Sequence, residues 1–514
     1  MKKTLSIILT VLMLFSLSTV AFAADYDQFL DRGTLGCNEY RIPSLYTLND
    51  GSVIAAADMR YDHGTDSPNN IDIMVAFSPD GYTNWEYNVV NHFDDYADGI
   101  TDVSSASFID TAITQNKDGR IFMIVDAQPA GCGYLKCKQG TGYTTIDGVK
   151  RMLLTKGSNT NLSSFEYYIG DFEGDFAPVI NLADGTPTTY SVDKEFDLYQ
   201  NGKALTMKQR GSDKTVTQNI FYADAVLRCF KTTYLWLRTS DDGGKTWSAP
   251  EIITGQVKND NEYFLGICPG KGFVTTLEDG TERIIFMVYD NGVLGWNEFE
   301  NVSTIYSDDG GVTWQRGAET VCGIQVGKVS ESQMVELNNG VLRLYAHNKG
   351  NYIAYADSTD GGHSWTDFVL DLSLSAHGNC MCSFIGTEIG GQKAVIGSFA
   401  SNNSQRADGV IRVGFVNPDN SVNWVSTYNL PGRDIPWKNF FAYSCITELS
   451  DGNYGILFED EVSHISYLIF SVDANGNITE VNGEELESNQ SAPLNFWQKL
   501  INFFKNLFAK LFNF

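Results

Sequence analysis

An all-β chain folded as a propeller is what this sequence predicts. Three observations carry that expectation: a recurring eight-residue turn motif, the spacing of its copies, and the short strand-like runs between them. The motif Ser-x-Asp-x-Gly-x-Thr/Ser-Trp stands in good form at Ser240 to Trp247 (SDDGGKTW), Ser307 to Trp314 (SDDGGVTW) and Ser358 to Trp365 (STDGGHSW). Degraded copies stand at Ser78 to Trp85 (SPDGYTNW) and Asn417 to Trp424 (NPDNSVNW). An Asp followed by Gly can bond its own backbone and supply positive φ, closing a tight turn between two strands. The Trp then leaves the turn to cover a neighbouring core. From Trp247 onward the copies lie about 50 to 70 residues apart, which fits one four-stranded sheet per repeat. Sheets that cannot bury both faces alone pack radially as blades.

The runs between the turns read as strands in order. Residues 52–58 (SVIAAAD) and 71–77 (IDIMVAF) form the first pair, separated by a polar loop over 61–70. Residues 107–114 and 120–126 form the next pair. The period then breaks, because Trp85 and Trp247 are too far apart for one blade. An excess over 156–225, rich in Asp, Thr, Gly and Tyr, reads as an inserted β subdomain on one rim, with 230–238 returning to the propeller. Regular four- to eight-residue β runs follow to about Val481.

The 514 residues exceed the ~250–300 at which a single core stops growing, so a repeat architecture or several domains are expected. Residues 1–23 carry a basic start at Lys2 and Lys3, an apolar stretch and an Ala21-Phe22-Ala23 cleavage site, the pattern of a signal peptide. The expectation is a secreted or cell-surface protein, with an uncleaved anchor as the alternative. The propeller spans 24–481, a polar acidic linker 482–495, and 496–514 (FWQKLINFFKNLFAKLFNF) patterns as an amphipathic helix. Its Trp, Phe and Lys content suits contact with a membrane surface, while packing on the propeller or self-association is the other reading.

A formal net charge of −27 argues against a nucleic-acid partner. An anionic substrate would have to be drawn by a local arginine cluster, which makes individual Arg positions informative. Nine Cys show no regular framework; Cys132 with Cys137 and Cys380 with Cys382 are close in sequence, and buried thiols are the plainer reading. With six His and no Cys/His run, no metal or cofactor is expected, a structural calcium ion on so acidic a chain aside.

Residues 40–45 (YRIPSL) resemble the Arg-Ile-Pro motif that opens bacterial sialidases, and the turn motif resembles that family's Asp box. The order of motifs matches over about 37–460. The family is the exo-α-sialidases of glycoside hydrolase family 33, and the resemblance implies a six-bladed propeller that releases terminal sialic acid with retention. The long excess after the second strand pair resembles the subgroup with an extra β domain, which includes intramolecular trans-sialidases.

Residue by residue, the resemblance implies the following roles. Arg41 and Arg406 match the first and third arginines that hold the substrate carboxylate through bidentate guanidinium donors. The second falls on His347, a departure, since an imidazole offers one directional bond and titrates near ~6.5. Arg343, four residues back at ~3.3 Å each, sits about 13 Å away and is no simple replacement. Tyr443 matches the nucleophile and Glu331 its base, a neutral Tyr avoiding repulsion with the substrate carboxylate. Asp66 matches the acid, with Asp62 as rival. Arg60 and Asp110 match residues near the sugar's C4 hydroxyl and N-acyl group. The implied partners are sialylated glycans. A sialic-acid-binding propeller without catalysis, and an enzyme for a related acidic sugar, are the competing readings.

Overall fold

The computed structural model describes residues 27–101, 103–291, 300–318, 320, 326–430, 439–461 and 464–481. The signal-peptide, linker and amphipathic-helix expectations lie outside the described residues.

Six sheets of four or five strands form the ring, antiparallel except where the short Gly270–Lys271 strand joins Ser107–Gln115 in parallel, with almost no helix among the described residues. Their innermost strands, Glu39–Thr47, Ser107–Gln115, Phe264–Ile267, Val329–Glu336, Ser383–Ile389 and Ser444–Glu448, adjoin one another around the axis. Second strands such as Val53–Arg60 and Ile121–Gln128 are buried along their whole length. Apolar clusters fill the space between neighbouring sheets, for example Phe122, Leu235, Leu265, Phe286 and Trp314 between the second and third blades.

The turn motif does what its chemistry predicts. In each good copy the Ser hydroxyl donates to the Asp (2.8 Å), and the second Gly N–H donates back to that hydroxyl. The Asp also accepts from the backbone N–H and the hydroxyl of the Thr or Ser before the Trp. The four copies at Ser78, Ser240, Ser307 and Ser358 join the third and fourth strands of their blades. The copy at Asn417 differs. It is shortened to a hairpin between Gly409–Val416 and Val422–Asn429, so Trp424 lies within a strand instead of leaving the turn.

Gly311 shows why the second glycine is required. Its φ is +90°, and a Cβ there would run into the Phe122 ring of the neighbouring blade, whereas Gly310 (φ +74°) faces open space. Gly311→Ala is therefore expected to cost about 2–3 kcal/mol in urea denaturation, against ~1 kcal/mol for Gly310→Ala, which carries only the left-handed backbone penalty. Equal midpoints for the two variants would remove the steric contribution.

Two features complete the ring. Asp27–Leu30 pairs antiparallel with His464–Val472 of the last blade, so that blade is built from both ends of the described chain. In the second blade the chain leaves after Ile121–Gln128 and returns as Tyr234–Ser240, which pairs with it along its whole length. Between the two, an eight-stranded sheet spans Tyr143–Ile146 through Arg228–Cys229. It packs on the second blade through Phe196, Phe221 and Trp236.

Candidate active site

A cleft of ≈470 Å³ opens at one end of the ring and is lined by residues of all six blades and their loops. Seven of the eight sequence-predicted site residues line it directly: Arg41, Asp66, Asp110, Glu331, His347, Arg406 and Tyr443. Arg60 lies just behind and is fully buried.

The side chains reach the cleft because the innermost strands are irregular where it opens. Register shifts interrupt the first blade between Arg41 and Ser44, the second between Ile109 and Thr111, and the fourth between Val329 and Ser332. Ile42 and Asp110 take left-handed backbones, φ 59° each, although Ile42 is β-branched and precedes a proline. Such a conformation costs of order 1–3 kcal/mol and persists only where surroundings enforce it. Glu459 supplies that enforcement at Ile42: its Oε1 accepts the Ile42 N–H at 2.8 Å and lies 3.3 Å from Arg41 Nε. One buried carboxylate thus fixes both the bulge and the guanidinium it presents.

Tyr443 sits at the centre. Its hydroxyl donates to Glu331 Oε2 at 2.6 Å, and the guanidinium carbons of Arg41 and Arg406 lie 5.4 and 5.3 Å from its ring centre. Burial first, then the Glu331 charge, push the phenol well above its ordinary range, with Arg406 and Arg41 pulling the other way. It is therefore a neutral phenol whose proton already points at a base. Arg406 also donates to the Asn379 carbonyl at 3.0 Å.

His347 reaches the same cleft but turns toward the base. Its Nε2 donates to Glu331 Oε2 at 3.0 Å, the oxygen that also accepts from Tyr443, and its Nδ1 is buried without a partner among the described residues. The carboxylate-binding role expected from its position in sequence thus meets a side chain whose Nε2 is already engaged. Arg343 is held in a two-point pair with Asp357 at 2.6 and 2.7 Å and does not line the cleft.

Asp66 lies at the mouth, its side chain 67 % exposed, 2.7 Å from Arg60 and 3.5 Å from Arg41. Desolvation would raise this carboxyl, but Arg60, Arg41 and Arg406 outweigh it and hold it below the usual carboxylate range. Its rival Asp62 is fully buried, tied to His63, and outside the cleft. Arg60 bridges Asp66 and Asp58, and Asp58 accepts the backbone N–H of Asp110 at 3.1 Å. Burial raises Asp58 to about 6 against the opposing pull of Arg60. Asp110 is pushed well above the carboxylate range, by burial first and then by Asp58 and Glu331.

Sequence reasoning missed Glu459 and Asp58. Each is an acid that follows an apolar run within its strand, and Asp58 precedes Arg60 by two residues, which places both on one face. That spacing was the available signal.

A computed family description, the BNR repeat-like domain, matches residues 213–456. The solved intramolecular trans-sialidase of Ruminococcus gnavus, in complex with oseltamivir carboxylate, superposes with a TM-score of 0.76 at 31% identity, over 86% of this chain and 96% of that one. The chain belongs to the sialidase family. Two further sialidase relatives agree with this. The anhydrosialidase of the leech Macrobdella decora is 32% identical over 459 residues, which cover 82% of this chain and 58% of the relative's length. Sialidase B of Streptococcus pneumoniae serotype 4 is 28% identical over 496 residues, 89% of this chain and 67% of that relative. As a sialidase-family member the chain is a glycoside hydrolase by class, with a six-bladed propeller and Asp-box turns.

Proposed function

We propose that the protein is a retaining exo-α-sialidase that cleaves terminal sialosides of glycoproteins, oligosaccharides or glycolipids through a tyrosyl-enzyme. The observation that carries this reading is the 2.6 Å hydrogen bond from Tyr443 to Glu331 beneath two guanidinium groups.

Arg41 and Arg406 take the substrate carboxylate. That contact does more than bind, because a bound carboxylate offsets the positive charge that keeps Asp66 ionised. The Asp66 carboxyl then rises toward a range in which it can hold and deliver a proton to the leaving oxygen. Tyr443 Oη attacks the anomeric carbon as its proton passes to Glu331, and the glycosidic bond breaks with the Asp66 proton on the leaving group. Arg60 and Asp110 orient the sugar's far side. His347 orders Glu331 by sharing its accepting oxygen. Asp66 then acts as base for the group that resolves the intermediate.

That resolving group is water for hydrolysis, or one of the sugar's own hydroxyls for intramolecular transfer. Likeness to an anhydrosialidase and to an intramolecular trans-sialidase favours the second outcome as the alternative reading. The eight-stranded sheet beside the second blade is read as the extra rim domain of that subgroup.

The test is turnover of 4-methylumbelliferyl α-sialoside and of a sialyllactose by the purified chain, with the sugar product weighed by mass spectrometry. Free sialic acid supports hydrolysis, and a product lighter by one water supports intramolecular transfer. Binding of the sialosides with no turnover from pH 4 to 8 would leave a lectin-like propeller in place of an enzyme.

A further inference from the structure

We propose that Cys132 and Cys137 form a disulfide when the chain meets a disulfide oxidant, and that this bridge stiffens the turn on which the Asp66 loop rests.

The two sulfurs lie 3.2 Å apart in a fully buried site, closer than the ~3.5–4.0 Å of ordinary heavy-atom contact. The turn between them is compact, with the Lys136 and Cys137 N–H groups both donating to the Gly133 carbonyl. It is anchored on both sides: Gly131 N–H donates to Ser105, and Lys138 N–H to Lys231. Closing from 3.2 Å to the ~2.05 Å of a disulfide asks the two sulfurs to move by about 1.2 Å. Cys137 also faces the Thr233 hydroxyl at 3.3 Å. Burial alone would raise the Cys137 thiol; its hydrogen bond with Cys132, then Lys258 and Thr233, bring it down to about 7.

The turn touches the catalytic machinery at two points. Gly133 packs directly on the backbone of Ser67, the residue after Asp66, so closely that a Cβ at 133 would collide with the Ser67 carbonyl. Tyr134 lines the cleft, and its hydroxyl donates to Glu300 while accepting from Asn291 at 3.1 Å. A bridge across the base of this turn would restrict the surface against which the Asp66 loop sits.

The chemistry balances with a disulfide oxidant, either a thiol-disulfide oxidoreductase or oxidised glutathione. Both sulfurs are enclosed in the folded chain, so the exchange takes place as the chain folds: the Cys137 thiolate attacks one oxidant sulfur and releases a thiol. Cys132 then displaces the second sulfur, joining Sγ to Sγ. Both protein protons end on the oxidant, which leaves as two thiols.

The link to turnover rests on the sialidase reading, while the bridge itself does not. The full chain would be made in an oxidising bacterial periplasm and in a reducing cytoplasm, acid-quenched, alkylated in denaturant and digested with trypsin. Cleavage after Arg120, Lys136 and Lys138 leaves Cys132 and Cys137 on separate peptides. The expected result is one joined species from periplasmic protein, two hydrogens lighter than the sum, and two alkylated peptides from cytoplasmic protein. Complete alkylation of both cysteines in periplasmic protein, or bridges from either to another cysteine, overturns the assignment. Turnover is then compared before and after reduction. Sialyllactose needs a proton from Asp66, whereas the 4-methylumbelliferyl leaving group departs without one. A change of threefold or more in kcat for sialyllactose, with the aryl sialoside unchanged, is expected. An equal change in both substrates, or none in either, overturns the link to Asp66. Absence of all turnover counts against the sialidase reading alone, since the peptide masses still decide the bridge.

Discussion

Tyr443→Phe is expected to lower kcat by ~10³-fold or more on the aryl sialoside, with the Tm within a few degrees of the parent protein. The substitution removes one oxygen from a side chain that is packed against Phe441, Ala442 and Cys380 in the same apolar cluster, so the ring and its neighbours stay in place. What is lost is the hydroxyl that donates to Glu331, on a ring whose centre lies 5.4 and 5.3 Å from the Arg41 and Arg406 guanidinium carbons. Glu331→Gln should follow with a smaller loss, ~10²-fold, because an amide can still accept from the phenol but cannot take its proton. The double variant should be scarcely worse than Tyr443→Phe, since nucleophile and base act as one unit. A Tyr443→Phe enzyme within tenfold of the parent would remove the tyrosyl intermediate and return attention to Asp66 or a directly attacking water.

Arg41→Lys is expected to cost about 2–4 kcal/mol of transition-state binding, ~10²–10³-fold in kcat/KM, most of it in KM. Two properties of the site make this large. In the proposed clamp only Arg41 and Arg406 supply guanidinium groups, since the third position is His347 and its Nε2 bonds Glu331, so each arginine carries more of the carboxylate's charge. Arg41 is also oriented by Glu459, whose two oxygens contact its Nε at 3.3 and 3.4 Å, and a lysine cannot present one nitrogen to Glu459 and others to the substrate. The same change should raise the Asp66 carboxyl of the free enzyme, since Arg41 is one of the charges holding it down. Because Asp66 must carry a proton to deliver it, the alkaline-side fall of kcat/KM for sialyllactose should therefore move toward higher pH. A pH profile of unchanged shape, with KM unaffected, would show that Arg41 serves the fold through Glu459 and not the substrate.

The turn motifs were legible in sequence because every bond in them is local. Ser, Asp, Gly and Thr within one octet satisfy one another, so the residues alone specify the corner. The pairing of Asp27–Leu30 with His464–Val472 joins opposite ends of the described chain, and nothing in a four-residue run announces a partner so distant. Among site residues, the motif order led to Arg41, Asp66, Glu331, Arg406 and Tyr443, and the fold brings these to one cleft. It did not lead to Glu459 or Asp58, whose roles depend on bulges that reverse the alternation of a strand. His347 was placed at the right position along its strand, but which ring nitrogen faces which neighbour is settled by packing and not by order along the chain.

The last blade has a topological consequence. Asp27–Leu30 and Ile478–Glu480 both pair with the single strand His464–Val472, so the first and last described strands meet along one outer edge of the ring. A short peptide could join them, and new ends could be cut at an exposed blade corner such as Asp279-Gly280, giving a circular permutant in which every blade is formed from contiguous chain except the one carrying the cut. In such a permutant the Tyr443 and Arg41 blades would become covalent neighbours, and forced extension from the native ends would no longer peel the closing strand first.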